Sequence, residues 1–333
     1  MRTLEQLEPR RLLASFTASS VTELIADINA ANGAGGANTI TLAPGAAFNL
    51  SAADNATDAT GLPVVAAGND LTILGNGDTI QRSTARGTPE FRLFHVAAGA
   101  SLALSNLTLS GGVAANYGGG VLNQGTLSLS GVTVQNCAVR GRSNDPSLVV
   151  GGGIYSDGAL AVTNSSIRSN QAVGGDGTII AGLIGGVGGA SAAGGGVCVG
   201  GGTATLTNTT ISANLARGGA GADGDLLLLW PSDKHGEPVP GGPGGNGSGG
   251  GICAVSGTIA LRTITITGNT ATGGAGGTSP KSLPKGAGGA GYGGGIFIAS
   301  GVPASLDAFT QANTRTNTAS TSDKDIFGTF TIL

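Results

Sequence analysis

The stretch GGGICAVSGTIALRTITITGNTATGG, Gly249 to Gly274, decides the fold. It opens on three glycines, carries one charge, and alternates aliphatic side chains with threonine and serine. An alternation of period two is the signature of strands with one buried face. The stretch recurs as GGGVLNQGTLSLSGVTVQNCAV from Gly118, GGGIYSDGALAVTNSSIRSNQAVGG from Gly151 and GGGVCVGGGTATLTNTTISANLARGG from Gly194. A degenerate copy, GGGIFIASGVPASLDAFTQANTRT, begins at Gly293. From the third glycine to an Asn the copies count 16, 17, 18, 18 and 18 residues, so the repeating unit is nearly rigid. The segments between copies vary, at 12, 21, 32 and 21 residues. All the variation therefore sits at one point of the repeat, as it does when the coils of a solenoid stack and every insertion leaves from one corner.

Each copy holds three short strand-like pieces and is too short for a helical-hairpin repeat. Such a unit predicts a parallel β-helix in which equivalent apolar residues stack into interior columns. The expected columns are Val121, Ile154, Val197, Ile252 and Ile296; Leu129, Val162, Leu206 and Leu261; and Val134, Ile167, Ile211 and Ile266. Upstream, NTITLAP, LPVVAAGNDLTILGNGDTIQRS and FRLFHVAAGASLALSNLTLSGG carry a looser form of the pattern and predict three earlier coils. Before them, SVTELIADINAAN predicts a helix that caps the open end of the rod. Ser20 and Glu23 have capping-box spacing, and Val21, Leu24, Ile25 and Ile28 share a face.

The composition agrees with this reading. The 333 residues include 64 glycines without a Gly-X-Y period, while 40% are apolar, which excludes both collagen and a disordered glycine-rich chain. Charged residues make up 11% and the net charge is -3, so no basic surface recommends a nucleic-acid partner. No apolar run is long enough for a transmembrane helix. The apolar run after Arg11 is also too short for an ordinary secretion signal.

Several of these segments, GGGIY, GALAVTNSSIRSNQA, LTILGNG, FRLFHVAAGASLALSNLTLSGG and the closing DKDIFG, resemble right-handed parallel β-helix proteins of the polymorphic outer membrane protein and autotransporter-adhesin type. LEPRRLL, Leu7 to Leu13, is similar to the LEPR-XLL motif at the amino terminus of large planctomycete proteins. The resemblance implies export, a cell-surface or secreted location, and a structural or adhesive role toward an extracellular polysaccharide or another surface protein. The expected fold class is all-β: a right-handed parallel β-helix of about eight coils with an amino-terminal capping helix and glycine-rich insertions at one corner. Residues 1–19 are expected to be an export or sorting segment without regular structure, and residues 20–333 the solenoid. Within it, 20–32 is the capping helix, 33–117 the early coils, 118–316 the marked repeats and 317–333 a carboxy-terminal cap.

Candidate functional residues are few. Asn136, Asn170, Asn214, Asn269 and Asn313 are expected to form a side-chain ladder between coils. Ala138, Ala172, Ala216 and Ala271 follow two residues on, with Arg315 in that place in the last copy. Cys198 and Cys253 occupy equivalent positions in adjacent coils, within reach of a disulfide, but strand-neighbour geometry is often poor for that bond, and two unreactive thiols are the expectation over a bridge. GGAGADGDL, Gly218 to Leu226, approximates one calcium-binding nonapeptide, with Asp223 and Asp225 as its acids, but a single copy does not close a calcium roll. The run Leu226, Leu227, Leu228, Leu229, Trp230 with His235 in the longest insertion is the first choice for a ligand-binding surface. No metal site, cofactor or catalytic residue is assigned, because His95 and His235 lie far apart and the copies between Gly118 and Asn269, insertions aside, hold one acid, Asp157. The competing reading is a polysaccharide lyase or glycoside hydrolase, which would need carboxylates clustered on neighbouring coils.

Overall fold

The computed structural model describes residues 14–178, 186–224, 226–227, 237–280 and 283–333. Within them the chain winds into an all-β parallel solenoid whose strands stack into sheets of ten, eight, seven and six strands. The registers place the expected columns as read: Val121, Ile154, Val197, Ile252 and Ile296 are successive partners in the seven-stranded sheet. Leu129, Val162, Leu206 and Leu261 do the same in the ten-stranded sheet, and Val134, Ile167, Ile211 and Ile266 in the eight-stranded sheet. All of these side chains are buried in one continuous core. A strand buries alternate residues, so each coil adds one apolar layer and exposes one polar layer.

The helix α1, Val21–Ala34, covers the amino-terminal end through Leu24, Ile28 and Ala31, with Val21 and Ile25 packed beside them. Its cap is built from two serines. Ser20 Oγ accepts the Glu23 N–H at 3.2 Å, while Glu23 Oε2 accepts the N–H and Oγ–H of Ser19 at 2.7 Å. The expected capping box is thus shifted by one residue on its return side. The solenoid also starts earlier than expected. Ala14–Ala18, placed in the export segment by sequence, is a strand paired in parallel with Gly36–Leu42, and its Ala18 is fully buried. Its five residues carry too little periodicity to declare themselves a strand.

The triple glycines answer three separate demands. The first of each triplet has positive φ, 61° at Gly249, where the chain turns into the seven-stranded sheet. At the second, a Cβ on Gly152 would lie 2.3 Å from the Gly195 carbonyl oxygen of the next coil. At the third, a Cβ on Gly196 would lie 3.1 Å from the Asn214 amide, so the glycine makes room for the ladder.

The insertions are ordered where they are described. Each leaves the six-stranded sheet and returns through a four-stranded parallel sheet of Val149–Val150, Ala192–Ala193, Gly247–Ser248 and Gly291–Tyr292. Between these, backbone hydrogen bonds at every third residue join neighbouring insertions and, within the last insertion, its outgoing and returning limbs. Gly218, Gly221 and Gly224 donate to Thr272, Ala275 and Thr278; Gly274 and Gly277 donate to Gly245 and Gly242; Gly286 and Gly289 donate to Gly277 and Gly274. A period of three is that of an extended helix without internal hydrogen bonds, whose backbone groups must find partners elsewhere. Here the neighbouring insertions provide them, and glycine lets the backbones touch: a Cβ on Gly274 would lie 1.8 Å from the Gly219 oxygen.

Candidate binding site

The asparagine ladder is offset from its expected members at both ends. Its rungs are Asn170, Asn214, Asn269 and Asn317, all buried. Asn170 Nδ2 donates to Asn214 Oδ1 at 3.0 Å, Asn214 Nδ2 to Asn269 Oδ1 at 2.9 Å, and Asn269 Nδ2 to Asn317 Oδ1 at 2.9 Å. Each Oδ1 also accepts the backbone N–H of the residue one coil before, and each Nδ2 a second time donates to a carbonyl of that earlier coil, as Asn214 does to Ile167. Asp325 ends the series by accepting from Asn317. Asn136 is not a rung. It takes positive φ, 55°, at the corner, and Cys137 stands on the rung, donating its N–H to Asn170 Oδ1. Asn313 is not a rung either, because helix α2, Ala308–Asn313, is inserted into the last coil and moves the ladder residue to Asn317. The same offsets put Val139 rather than Ala138, and Ala319 rather than Arg315, in register with Ala172, Ala216 and Ala271.

The cysteines are three free, buried thiols. Cys198 and Cys253 are direct partners on the outer side of the seven-stranded sheet, yet both are fully buried, because Val150 and Ala193 of the four-stranded sheet pack over them with Tyr155 and Phe297. The Cys253 hydrogen bond and burial hold the Cys198 thiol well above its ordinary pKa. Burial pushes Cys137 up to about 12.

Of the proposed apolar insertion surface, Leu226–Leu227 forms a two-residue antiparallel strand with Glu237–Pro238. Leu228, Leu229, Trp230 and His235 lie outside the described residues, as does Asp225. Asp223 is an exposed acid whose Oδ1 accepts the N–H and Oγ1–H of Thr278 in the neighbouring insertion, which lowers its pKa.

Two surfaces emerge that sequence reasoning did not single out. The outer face of the ten-stranded sheet presents in-register ranks of small hydroxylated side chains. Its middle rank runs through Ser15, Thr39, Thr72, Ser128, Thr205 and Ser305, with Ala103, Ala161 and Ala260 between them. Among the outward positions of its described strands, only Asp70 and Arg262 are charged. Near the last coils this face deepens into a groove of about 590 Å³ that includes Thr205, Thr258, Pro303 and Phe330.

The second surface is charged and lies on the coils between Asp58 and Arg217. Asp58 receives Arg92 Nη1 on Oδ1 at 3.0 Å and its own carbonyl at 2.8 Å, and its Oδ2 is hydrogen-bonded to His95 Nδ1. His95 Nε2 faces Gln124 Oε1 at 2.9 Å. Arg92 is mostly buried, and burial lowers its pKa against the opposing pull of Asp58. Sequence reading leaves His95 isolated because Asp58 is 37 residues away in a loop. The one available signal is that His95 alternates with the buried Phe94 and Val96 and so must point outward. Chemically, Asp58 can orient the His95 ring for proton transfer, but only if Gln124 releases Nε2. Beside this cluster, Glu90, Arg92, Tyr117, Arg140 and Arg142 line a groove of about 330 Å³. Arg140 also borders a second groove, of about 390 Å³, with Ser143, Gln171, Asp176 and Arg217.

The fold defines the class to which the chain belongs, the parallel β-solenoids. Comparison with protein-family models, curated proteins and solved structures finds no match to this chain.

Proposed function

We propose that this chain is an exported, surface-associated β-helix protein with a structural or adhesive role, binding polysaccharide without catalysis. The observation that carries this reading is the ranked serine and threonine face. It is nearly uncharged, and its ranks repeat at the strand spacing of about 4.8 Å, with hydroxyls on every second strand of the middle rank from Thr72 onward, a geometry suited to an extended, hydroxyl-rich polymer. The LEPRRLL motif supports export to the surface where such polymers lie. The test is retention of the purified chain on insoluble cell-wall and algal polysaccharides, with soluble products measured in parallel. Retention that falls when Thr205 and Thr258 are changed together to Lys, with no product released, is the expected result. Retention unchanged in that variant, or absent in the parent chain, would overturn the assignment.

A second reading, a polysaccharide lyase or glycoside hydrolase, is favoured by one observation: Asp58, Arg92 and His95 converge on neighbouring coils. Product released by the parent chain and abolished in His95→Ala would establish it instead.

A further inference from the structure

We infer that the two grooves sharing Arg140 form one binding track for an acidic polysaccharide, with its carboxylate or sulfate groups held by Arg140, Arg142 and Arg217. This rests on the reading of the chain as a glycan-binding protein, but it concerns a different surface and a narrower ligand class.

The strand registers set the spacing of the cations. Arg140 pairs with Val173, and Val173 with Arg217, so the two arginines project from the same position two coils apart. Two strand spacings are about 10 Å, along the axis of the rod. That separation suits a polymer with one acidic group per disaccharide, and the polymer would run parallel to the axis. All three arginines are exposed. Of these three only Arg140 has an ion pair among the described residues, to Glu90 at 3.6 Å, and both side chains are more than half exposed. Such a pair is worth little in water and yields readily to a ligand that presents two oxygens to one guanidinium. Asp176 borders the same groove, where its Oδ1 accepts the Ala220 N–H, and it makes no ion pair with any of the three arginines.

The remaining groups fit sugar. Gln171 and Ser143 offer neutral donors and acceptors for hydroxyls. Tyr117 stands exposed at one end with its ring 4.9 Å from that of Tyr155, which holds it as a fixed apolar platform for a pyranose face. A nucleic acid fits less well: three exposed arginines on a chain of net charge -3 fall short of the dense phosphate neutralisation that such binding requires.

The test uses the full chain and three soluble polymers in calorimetric titration: an alternating uronate–hexosamine polysaccharide, its carboxyl-reduced form and a sulfated form. A single-stranded DNA serves as the polyanion control. The expected result is binding of the uronate or sulfated polymer about tenfold or more tighter than the carboxyl-reduced one. Affinity should fall at least about tenfold in the double variant Arg140→Gln, Arg217→Gln, and stay unchanged in Arg315→Gln, an exposed arginine of the eight-stranded sheet outside both proposed surfaces. Circular dichroism of each variant reports its fold, and Arg142→Gln replaces the double variant if that one unfolds. Equal binding of the carboxyl-reduced polymer would overturn the track while leaving a neutral-glycan adhesin standing. Equally tight DNA binding, or an unaffected double variant, would overturn it too. Binding of no polymer at all would sink the track, and the retention assay on insoluble polysaccharide then decides the broader reading separately.

Discussion

At the scale of single residues, the ladder amide is the group on which most local structure depends. Asn214 satisfies the backbone N–H of Asn170, the side-chain amide of Asn170 and the carbonyl of Ile167, all buried. Alanine there leaves these groups without partners and without water. Each orphaned buried group costs about 1–3 kcal/mol, so Asn214→Ala is expected to lower stability by about 3 kcal/mol or more in urea denaturation. A loss below about 1 kcal/mol would mean that water replaces the amide, and that the ladder does not hold the corner. Leucine at the same site has similar bulk but no hydrogen bonds, so it should fare no better.

At the scale of elements, the insertions act as a slab rather than as separate loops. Each extended segment satisfies its backbone only through its neighbours, and the contacts are closer than any side chain permits. Gly274 and Gly288 belong to the same insertion but differ in this respect: the first would place a Cβ 1.8 Å from the Gly219 oxygen, the second 3.8 Å from the Gly274 oxygen. Neither has the positive φ that would itself forbid alanine. Gly274→Ala is therefore expected to open the slab and speed amide hydrogen exchange at Gly274, Gly277 and Gly289, while Gly288→Ala leaves exchange unchanged. Equal effects would show that close approach is not what selects glycine here.

At the scale of the whole molecule, two cores lie side by side: the solenoid interior, and a thin layer, in two patches, trapped between its outer wall and the four-stranded sheet. The second core is why Cys198 and Cys253, on an outward position of their strands, are inaccessible. In the native protein none of the three cysteines should react with a thiol reagent near pH 8, and all three should react in denaturant. Rapid native labelling of Cys198 or Cys253 would mean that the outer sheet opens readily. The pH dependence follows from the same burial. The Cys137 thiol is raised from 9.0 to about 12 in the folded chain, so above pH 9 the unfolded chain loses its proton first. The native state then binds more protons than the unfolded state, and its contribution to stability declines as pH rises from about 9 toward 12. The interior columns were legible in the sequence, since Val, Ile and Leu at period two can bury only one face, and stacking identical coils brings like positions together. The GGG marks and the middle of the asparagine ladder were legible for the same reason. The ends of the ladder were not: the first copy keeps the length of the second but carries its Asn one residue early, at the corner, and helix α2 lengthens the last coil, so counting along the chain places Asn136 and Asn313 where the structure has Cys137 and Asn317. The glycine slab left no trace in side-chain patterning, because its order resides in backbone hydrogen bonds between insertions. The Asp58–His95 contact and the arginine track likewise join residues separated by one or more coils, and only the stacking register decides which of them meet. Local periodicity thus determined the solenoid, whereas the candidate binding surfaces depended on contacts across coils that no single repeat contains.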